Sequence, residues 1–481
     1  MTTRLLRAAS AIGVVGIATV AGCKFGPNYE RPAVTAPESY RDQPASSAAD
    51  GASFADLNWW QVYKDPQLQS LVRTALEHNY DAQIAVTRIL QAKAIEIQTA
   101  SPLYPQIGYQ GGIATGRNSF LGTPNPNNGT TTGSALLTLS CAWEIDLWGR
   151  VQRADEAALA QILAAEENRR AVILTLVTSV AQAYFELLEL DLEVEIARQN
   201  VASFQQSLDL FSRRANGGVD SQLQVLRAQA NLSQVAATIP ELQRLTAIKE
   251  NQINLLLGTT PGPITRGKPL VEQEMPVEIP VGLPSSLLER RPDIRASEQQ
   301  LVAANAQIGA AIANFFPQIG LTTFFGKASP SLSSFTSSST NAWGVGANLT
   351  GPIFTAGLTQ AQVDQAKAQF QEAKLRYEQI VNASFHEVAD TLVTREKLIS
   401  IEQELQVQVK SLSGAVVISR DRYAVGRASY FEILDAQQQL YPAQTSLARA
   451  KADQYIAVIQ LYKALGGGWN LPADDWTDPQ H

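Results

Sequence analysis

One long unit occurs twice in this chain. Asp81, Pro105, Gln106, Ile107 and Gly108 return as Asp293, Pro317, Gln318, Ile319 and Gly320, about 212 positions later. Gly149, Arg214, Gly218, Ser221, Leu226, Gln229, Leu232, Leu257 and Gly258 return as Gly357, Arg422, Gly426, Ser429, Leu434, Gln437, Leu440, Leu465 and Gly466, about 208 positions later. The two offsets nearly agree, so one half carries a slightly longer loop and the rest keeps step. Duplication on this scale predicts internal pseudo-symmetry. Whatever one unit folds into, the chain must hold two of them.

Within the first unit, Leu68 to Ala100 reads as helix. Leu68, Leu71, Val72, Ala75 and Leu76 fall at helical spacing, and Pro102 and Pro105 stop it. The period then drops to two. Ile107, Tyr109 and Ile113 alternate with Gln106, Gln110 and glycines. After a Gly/Asn/Pro/Thr loop, Ala135, Leu137, Leu139, Cys141, Trp143, Ile145 and Leu147 take one face. Ser134, Thr138, Ser140, Glu144 and Asp146 take the other. In the second unit Ile319, Leu321 and Phe325 alternate, then Trp343, Val345, Ala347, Leu349 and Ile353 after a Ser-rich loop. This predicts hairpins over 106–147 and 317–354. Strands of about ten residues with one apolar and one polar face match membrane barrel strands. A half-buried soluble sheet alternates in the same way.

The helix that follows each hairpin separates these readings. Residues 150–216 contain no proline, and 358–424 are the same length with one interior Gly414. At about 1.5 Å per residue each would run on the order of 100 Å. Both are rich in Ala, Gln, Leu and Glu with apolar positions interleaved with charge, a coiled-coil composition. Gly218 and Gly426 mark turns, and returning helices are predicted over 222–257 and 430–465. Pro240 and Pro442 inside them predict a kink or break. The two repeats span 68–258 and 285–466, with a Pro/Gly-rich linker at 259–284 and an irregular tail at 467–481.

The first 22 residues read as a signal peptide: Arg4 and Arg7, then the apolar stretch from Ala8 to Val20, too short to stay as a membrane helix. Val20-Ala21-Gly22-Cys23 resembles a bacterial lipobox. The resemblance implies that Cys23 becomes the first residue and carries a diacylglycerol and an acylated amine, with palmitate among the acyl chains. Several chains together give stable anchoring. Lys24 in place of Asp favours, by analogy, sorting to the outer membrane. An ordinary secretory signal is the alternative. Residues 23–67 then form a lipidated, extended lead-in. The formal charge of −7 falls to about −9 once Arg4 and Arg7 are removed, and its dispersed acidity argues against nucleic-acid binding. With Cys23 lipidated, Cys141 is alone, so no disulfide framework is expected. No later run is apolar enough for a transmembrane helix to be expected.

Four strands cannot satisfy their edges inside a bilayer, because membrane barrels must close. A dimer supplies eight strands and a filled interior; a trimer supplies twelve and room for a passage. The long helices and their returning partners would continue such a barrel as a helical tube. The expectation is a homotrimeric exit duct.

Against this background the chain resembles the TolC-like outer-membrane factors, in their OprM/NodT-type lipoprotein branch, over nearly all of its mature length. The motifs are Cys23, Gly26-Pro27, Tyr29 and Pro32 at the start, then Trp59-Trp60, Tyr63, Asp65-Pro66, Leu68, Leu71, Ala75, Leu76 and Asn79. They continue with Leu283-Pro284 and Leu287-Leu288-Glu289-Arg290-Arg291-Pro292-Asp293-Ile294, and with Arg422-Tyr423, Gly426, Ser429 and Ile433 to Ala436. The resemblance implies a mainly α trimer with membrane β: a twelve-stranded β-barrel, four strands per chain, over a long α-helical coiled-coil barrel. It implies a passive duct, not an enzyme, for drugs or other small molecules. It also implies a periplasmic adaptor (membrane fusion protein), an inner-membrane pump of the RND type, and no cofactor besides the lipid on Cys23.

By the same resemblance Asp435 and Glu432 match acidic positions that ring the constricted pore, and Tyr423 looks like a gate tyrosine. Three copies of each carboxylate would favour cations. Ser429 and Glu432 also form a capping-box pattern, repeated as Ser221 and Gln224, which explains Glu432 without a pore. Tyr423 is equally explained as a contact between helices. Gly218, Val219, Ser221, Gly426, Arg427 and Ser429 are the adaptor-contact candidates, although turn chemistry alone accounts for the glycines and serines. Trp143, Trp148 and Trp343 fit an aromatic girdle or ordinary packing. Gly262 with Gly267-Lys268 has phosphate-loop spacing, but Pro269 replaces the Ser/Thr. His78, His386 and His481 are scattered, so neither a triad nor a zinc cluster is legible. A type I protein secretion duct, a non-conducting coiled-coil stalk and a lipoprotein enzyme are the competing readings. The duplicated hairpins weigh against the stalk.

Overall fold

The computed structural model describes residues 24–37, 39–40, 53–117, 131–274, 282, 284–330 and 332–471. Two compact units emerge: Met1–Ala33 with Arg88–Ala165 and Ala296–Tyr377, and Val34–Thr87 with Glu166–Arg295 and Glu378–His481. The first carries the sheet. The second is helical.

In the sheet-bearing unit the alternating segments form β1 (Gln106–Arg117), β2 (Thr131–Ile145), β3 (Gln318–Ser329) and β4 (Asn341–Thr350). They make one antiparallel sheet in the order β1-β2-β3-β4. The repeats join where β2 pairs with β3, and β1 and β4 are left as open edges. Register puts the apolar residues of both repeats on one face. Tyr109 faces Leu139, Leu139 faces Phe325, and Phe325 faces Trp343. The next row holds Ile107, Cys141, Thr323 and Val345. This face is bare: Ile107, Tyr109, Trp343 and Val345 are each more than 70% exposed. The opposite face carries Gly108, Gln110, Thr138, Ser140, Gly320, Thr322, Gly344 and Gly346, and is mostly small or polar, with Leu136 and Phe324 as its large apolar members. A sheet with water on both sides would not leave a row of aromatic and aliphatic side chains uncovered.

Besides two single turns, Trp59–Val62 and Leu287–Arg290, the helices among the described residues are α1 (Pro66–His78), α2 (Tyr80–Ala100), α3 (Arg150–Asn216), α4 (Gln222–Ala236), α5 (Thr238–Leu257), α6 (Pro292–Ala313), α7 (Leu358–Ala424) and α8 (Tyr430–Ala464). Both long helices occupy the predicted residues. The predicted helix over Leu68 to Ala100 is instead two helices broken at Asn79. Its backbone is extended (ψ 130°), its side-chain oxygen accepts from the Ala82 N–H at 3.1 Å, and its amide donates to the Leu256 carbonyl at 2.9 Å. Asparagine there caps a new helix rather than continuing the old one. The returning helices also part company. The first breaks at Ala237, and Pro240 falls in the first turn of α5, where its missing N–H has no helical partner to lose. In the second, Pro442 lies within one continuous helix, so of the expected kink or break no break occurs there. Pro442 and Gln438, whose carbonyl it orphans, are both exposed, so solvent satisfies the lost bond.

One stretch of α3 is apolar enough to cross a bilayer by composition, yet 67% of it is buried. Val177, Val180, Ala181, Tyr184 and Leu187 form the core of the helical unit here, so it reads as packing. The start of the linker is tied to the same core. Tyr184 and Gln273 donate to Asp65 at 3.0 and 2.6 Å, and the Gly267 N–H donates to the Tyr184 hydroxyl at 2.8 Å. A Cβ at residue 267 would sit 2.3 Å from Asp65 Oδ1. The glycine that suggested a phosphate loop is thus consumed by close packing.

Candidate functional site

The turns after α3 and α7 lie in the helical unit, and their geometry is duplicated as closely as their sequence. Gly218 and Gly426 have φ of +74° and +73°. The Val219 N–H returns to the Arg214 carbonyl at 2.9 Å and the Arg427 N–H to the Arg422 carbonyl at 2.8 Å. Each is a glycine-terminated helix end that satisfies its own last carbonyls. Gly218, Val219, Ser221, Gly426, Arg427 and Ser429 are all exposed. No heavy atom lies within 4 Å of where a Cβ would stand at either glycine, so backbone conformation alone calls for them.

The caps then diverge. The Ser429 N–H donates to Glu432 Oε1 at 3.2 Å, completing a capping box, and Arg422 Nη1 stands 3.7 Å from Glu432 Oε2. In the first repeat the Ser221 hydroxyl accepts from the Leu223 N–H at 3.2 Å, but Gln224 does not reciprocate. Asp435 lies one turn beyond Glu432 on the same face of α8. It is exposed and accepts a 2.9 Å bond from Gln439. Both carboxylates are therefore presented to solvent from one helix face.

Tyr423 behaves differently. It is 4% exposed and packs with Phe204, Leu208, Phe211, Tyr430, Ile433 and Leu434 in a core shared by all four helix ends. Its hydroxyl donates to Asp220 Oδ2 at 2.5 Å, and Arg214 Nε donates to the same oxygen at 2.9 Å. The Arg214 guanidinium lies 4.6 Å from the Tyr423 ring centroid. Burial, then the bond to Asp220, pushes the Tyr423 hydroxyl up to about 12, so it remains a donor across the physiological range. A single buried carboxylate oxygen thus clasps the first turn to the end of α7. The sequence reading missed this clasp. Arg214 was visible as a repeated position, but Asp220 aligns with Ala428, and a short acidic residue before a helix cap reads as ordinary turn chemistry.

The other predicted elements belong to the sheet-bearing unit. Cys23 lies outside the described residues. The segment just after it straps onto the base of the hairpins. Phe25 stacks on Phe316 with centroids 4.5 Å apart, and Trp148 stacks on Phe316 at 5.0 Å. Arg153 donates to the Phe25 carbonyl at 3.0 Å and to Asn28 Oδ1 at 3.0 Å. A Cβ on Gly26 would meet Gly309 Cα at 2.5 Å, so both glycines are needed for the approach. Arg31 closes the strap with a bidentate pair on Glu298, at 2.6 and 2.5 Å, joined by Tyr29 at 3.1 Å. Among the candidate girdle residues, Trp148 is engaged in this packing and donates to the Pro317 carbonyl at 2.7 Å. Trp143 donates to the Leu103 carbonyl at 2.9 Å, and Trp343 stands free on the apolar face. Among the described residues no group of His, Cys, Asp and Glu is arranged to hold a metal ion.

Comparison with known proteins accords with this geometry. The pattern of the family described as outer membrane efflux protein matches residues 71–259 and 283–467, one match per repeat. The chain is 34% identical over 477 residues to the probable efflux pump outer membrane protein TtgC of Pseudomonas putida, covering 98% of this chain and 96% of the relative. It is 32% identical to the cation efflux system protein CusC of Escherichia coli, covering 93% and 96%. Among solved structures, the outer-membrane channel OprN superposes with a TM-score of 0.86 at 31% identity, over 93% of this chain and 100% of that one. The Neisseria gonorrhoeae MtrE channel in its open state gives 0.83 at 30% identity, over 93% and 99%.

Proposed function

Because the chain belongs to the outer membrane efflux protein family, an outer-membrane channel of efflux systems and not an enzyme, we propose that three copies close one barrel that small molecules leave through. The sheet carries this reading: two unpaired edges and one uncovered apolar face in the same four strands. Inside a bilayer each open edge would leave backbone groups unsatisfied at several kcal/mol apiece, and a neighbour's edge strand is the partner that removes this cost. Twelve strands enclose a passage, whose wall would be the mostly small or polar face carrying Gln110, Thr138 and Thr322.

Cys23 carries the lipid anchor in this reading, and the strap from Phe25 to Arg31 holds the chain beside it. The turns at Gly218–Ser221 and Gly426–Ser429 dock a periplasmic adaptor, which joins the duct to an inner-membrane pump of the RND type. Asp435 and Glu432 from three copies form an acidic ring, and the Tyr423–Asp220–Arg214 clasp holds the turns together beside it. Energy comes from the pump. The chain's own contribution is shape and charge.

Planar-bilayer conductance tests the ring. The unsubstituted channel is expected to favour cations, and Asp435→Ala with Glu432→Ala to lower cation selectivity several-fold while conductance persists. Selectivity unchanged in the double variant would remove both residues from the pore.

A further inference from the structure

The apolar face of the sheet ends in a groove. It encloses about 430 Å³ and is lined by Gly111, Gly112, Ile113 and Leu137 from β1 and β2 and by Leu332 and Phe335 from the β3–β4 loop. Gly111 keeps the floor of the slot open: it pairs with Leu137 on the apolar face, and a Cβ there would stand 3.4 Å from Leu137 Cδ1. Leu332 remains 61% exposed at its mouth.

Lys327 stands at the rim. Register pairs it with Leu137, on the apolar face. Its ammonium donates to the Thr336 and Ser337 carbonyls at 3.2 and 3.5 Å, on the same loop that supplies Leu332 and Phe335. A third N–H is left over. No carboxylate competes for it, since residues 106–143 and 318–357 contain no Asp or Glu. Arg117 and Lys327 are their only charges.

The height of Lys327 is set by the strands. Apolar rows run from Ile145, Ile319 and Leu349, through Trp143, Cys141 and Leu139, to the row of Leu137 and Lys327. Four two-residue steps at about 3.3 Å per residue make about 26 Å along the strand, which at a barrel tilt of about 40° climbs roughly 20 Å of an apolar height of about 25 Å. Lys327 therefore stands within a side chain's length of the far edge of the apolar band. That is the loop edge, opposite the end where α3 and α7 begin.

We propose that this groove binds a phosphorylated acyl glycolipid of the outer leaflet, with one acyl chain in the slot and a phosphate on Lys327. The inference rests on the membrane placement of the sheet given above. A hydrocarbon slot continuous with the lipid-facing band, with an unpaired cation at headgroup height, fits both halves of such a lipid. A phospholipid of the other leaflet meets the opposite end of the sheet, where Lys327 is out of reach.

The test uses the full-length oligomer in detergent, stripped of lipid and offered purified lipid A or its dephosphorylated form, with bound lipid read by native mass spectrometry. The unsubstituted protein should retain lipid A about five-fold better than the dephosphorylated form. Lys327→Ser should erase that preference, and Leu332→Ser should weaken retention of both. Conductance in lipid-A-free bilayers should be the same for all three proteins. A protein that conducts but shows no phosphate preference overturns this proposal alone. So does Lys327→Ser keeping the preference. A protein that neither conducts nor retains lipid sinks the channel reading with it.

Discussion

Asp220 shows how much one carboxylate oxygen can hold. It accepts from Tyr423 and Arg214 while nearly buried, and hydrogen bonds to a charged acceptor contribute about 1.5–3 kcal/mol each. Tyr423→Phe should destabilise the turn region by roughly 2 kcal/mol. Asp220→Ala should cost more, because it also removes the Arg214 bond, but adding Tyr423→Phe to Asp220→Ala should cost little further, since the bond they share is already gone. Hydrogen exchange at residues 214–223 across the double-mutant cycle measures this coupling, and full additivity would mean that the clasp is not formed. Glu189 is held the opposite way. Burial first, then the nearby Glu193 and Asp453 carboxylates, push it up to about 7 despite Arg449. The unfolded chain releases that proton near 4.5, so between these values the native state holds more protons and stability falls as pH rises. Glu189→Gln should stabilise the protein by roughly 2 kcal/mol at pH 8 and give no gain at pH 4, below both values. Thermal unfolding at the two pH values decides it.

Among the elements, the N-terminal strap is where sequence distance is most misleading. Residues 24–31 are remote in sequence from α6, yet Asn305 donates to the Pro27 carbonyl at 2.9 Å and Glu298 accepts from Arg31 and Tyr29. The Glu298 side chain is only 10% exposed, so removing Arg31 leaves a carboxylate that water reaches poorly with the Tyr29 hydroxyl in place of a bidentate cation. Arg31→Ala should cost about 2 kcal/mol and raise protease cleavage within residues 24–40. Arg31→Lys should recover only part of it, because lysine cannot make the fork. Undiminished protease resistance in Arg31→Ala would show that Phe25 and Gly26 hold the strap unaided. The two returning helices make a related point. Pro240 and Pro442 look alike in the sequence, but one sits in a first turn and the other on an exposed face, and only the first accompanies a break.

For the whole molecule, the expected outcome is an assembly of three chains. Mass measured in detergent should correspond to three protomers, and the assembly should dissociate when β1 or β4 is prevented from pairing by proline substitution at Tyr109 or Val345. A stable monomer with its sheet edges protected from exchange would end the closed-barrel reading. Two of the site expectations were legible for a local reason: Gly218 and Gly426 adopt positive φ because a helix must end there. Glu432 was legible as a cap, because Ser429 and Glu432 sit at capping-box spacing. Tyr423 was found by resemblance, but its partner was not, because Asp220 has no counterpart in the second repeat to draw attention to it.

Periodicity by itself determined that strands give way to helices of 67 residues, twice over, because hydrophobic spacing and the absence of proline act through neighbours in the chain. It also determined where each helix turns back. Tertiary structure alone decided that β2 meets β3, that the apolar rows of two repeats fall on one face, and that Arg214, Asp220 and Tyr423 converge. Those outcomes depend on register and on contacts such as Tyr423 with Asp220, 203 positions apart. No local pattern encodes them, since each partner alone is an ordinary strand, turn or core residue.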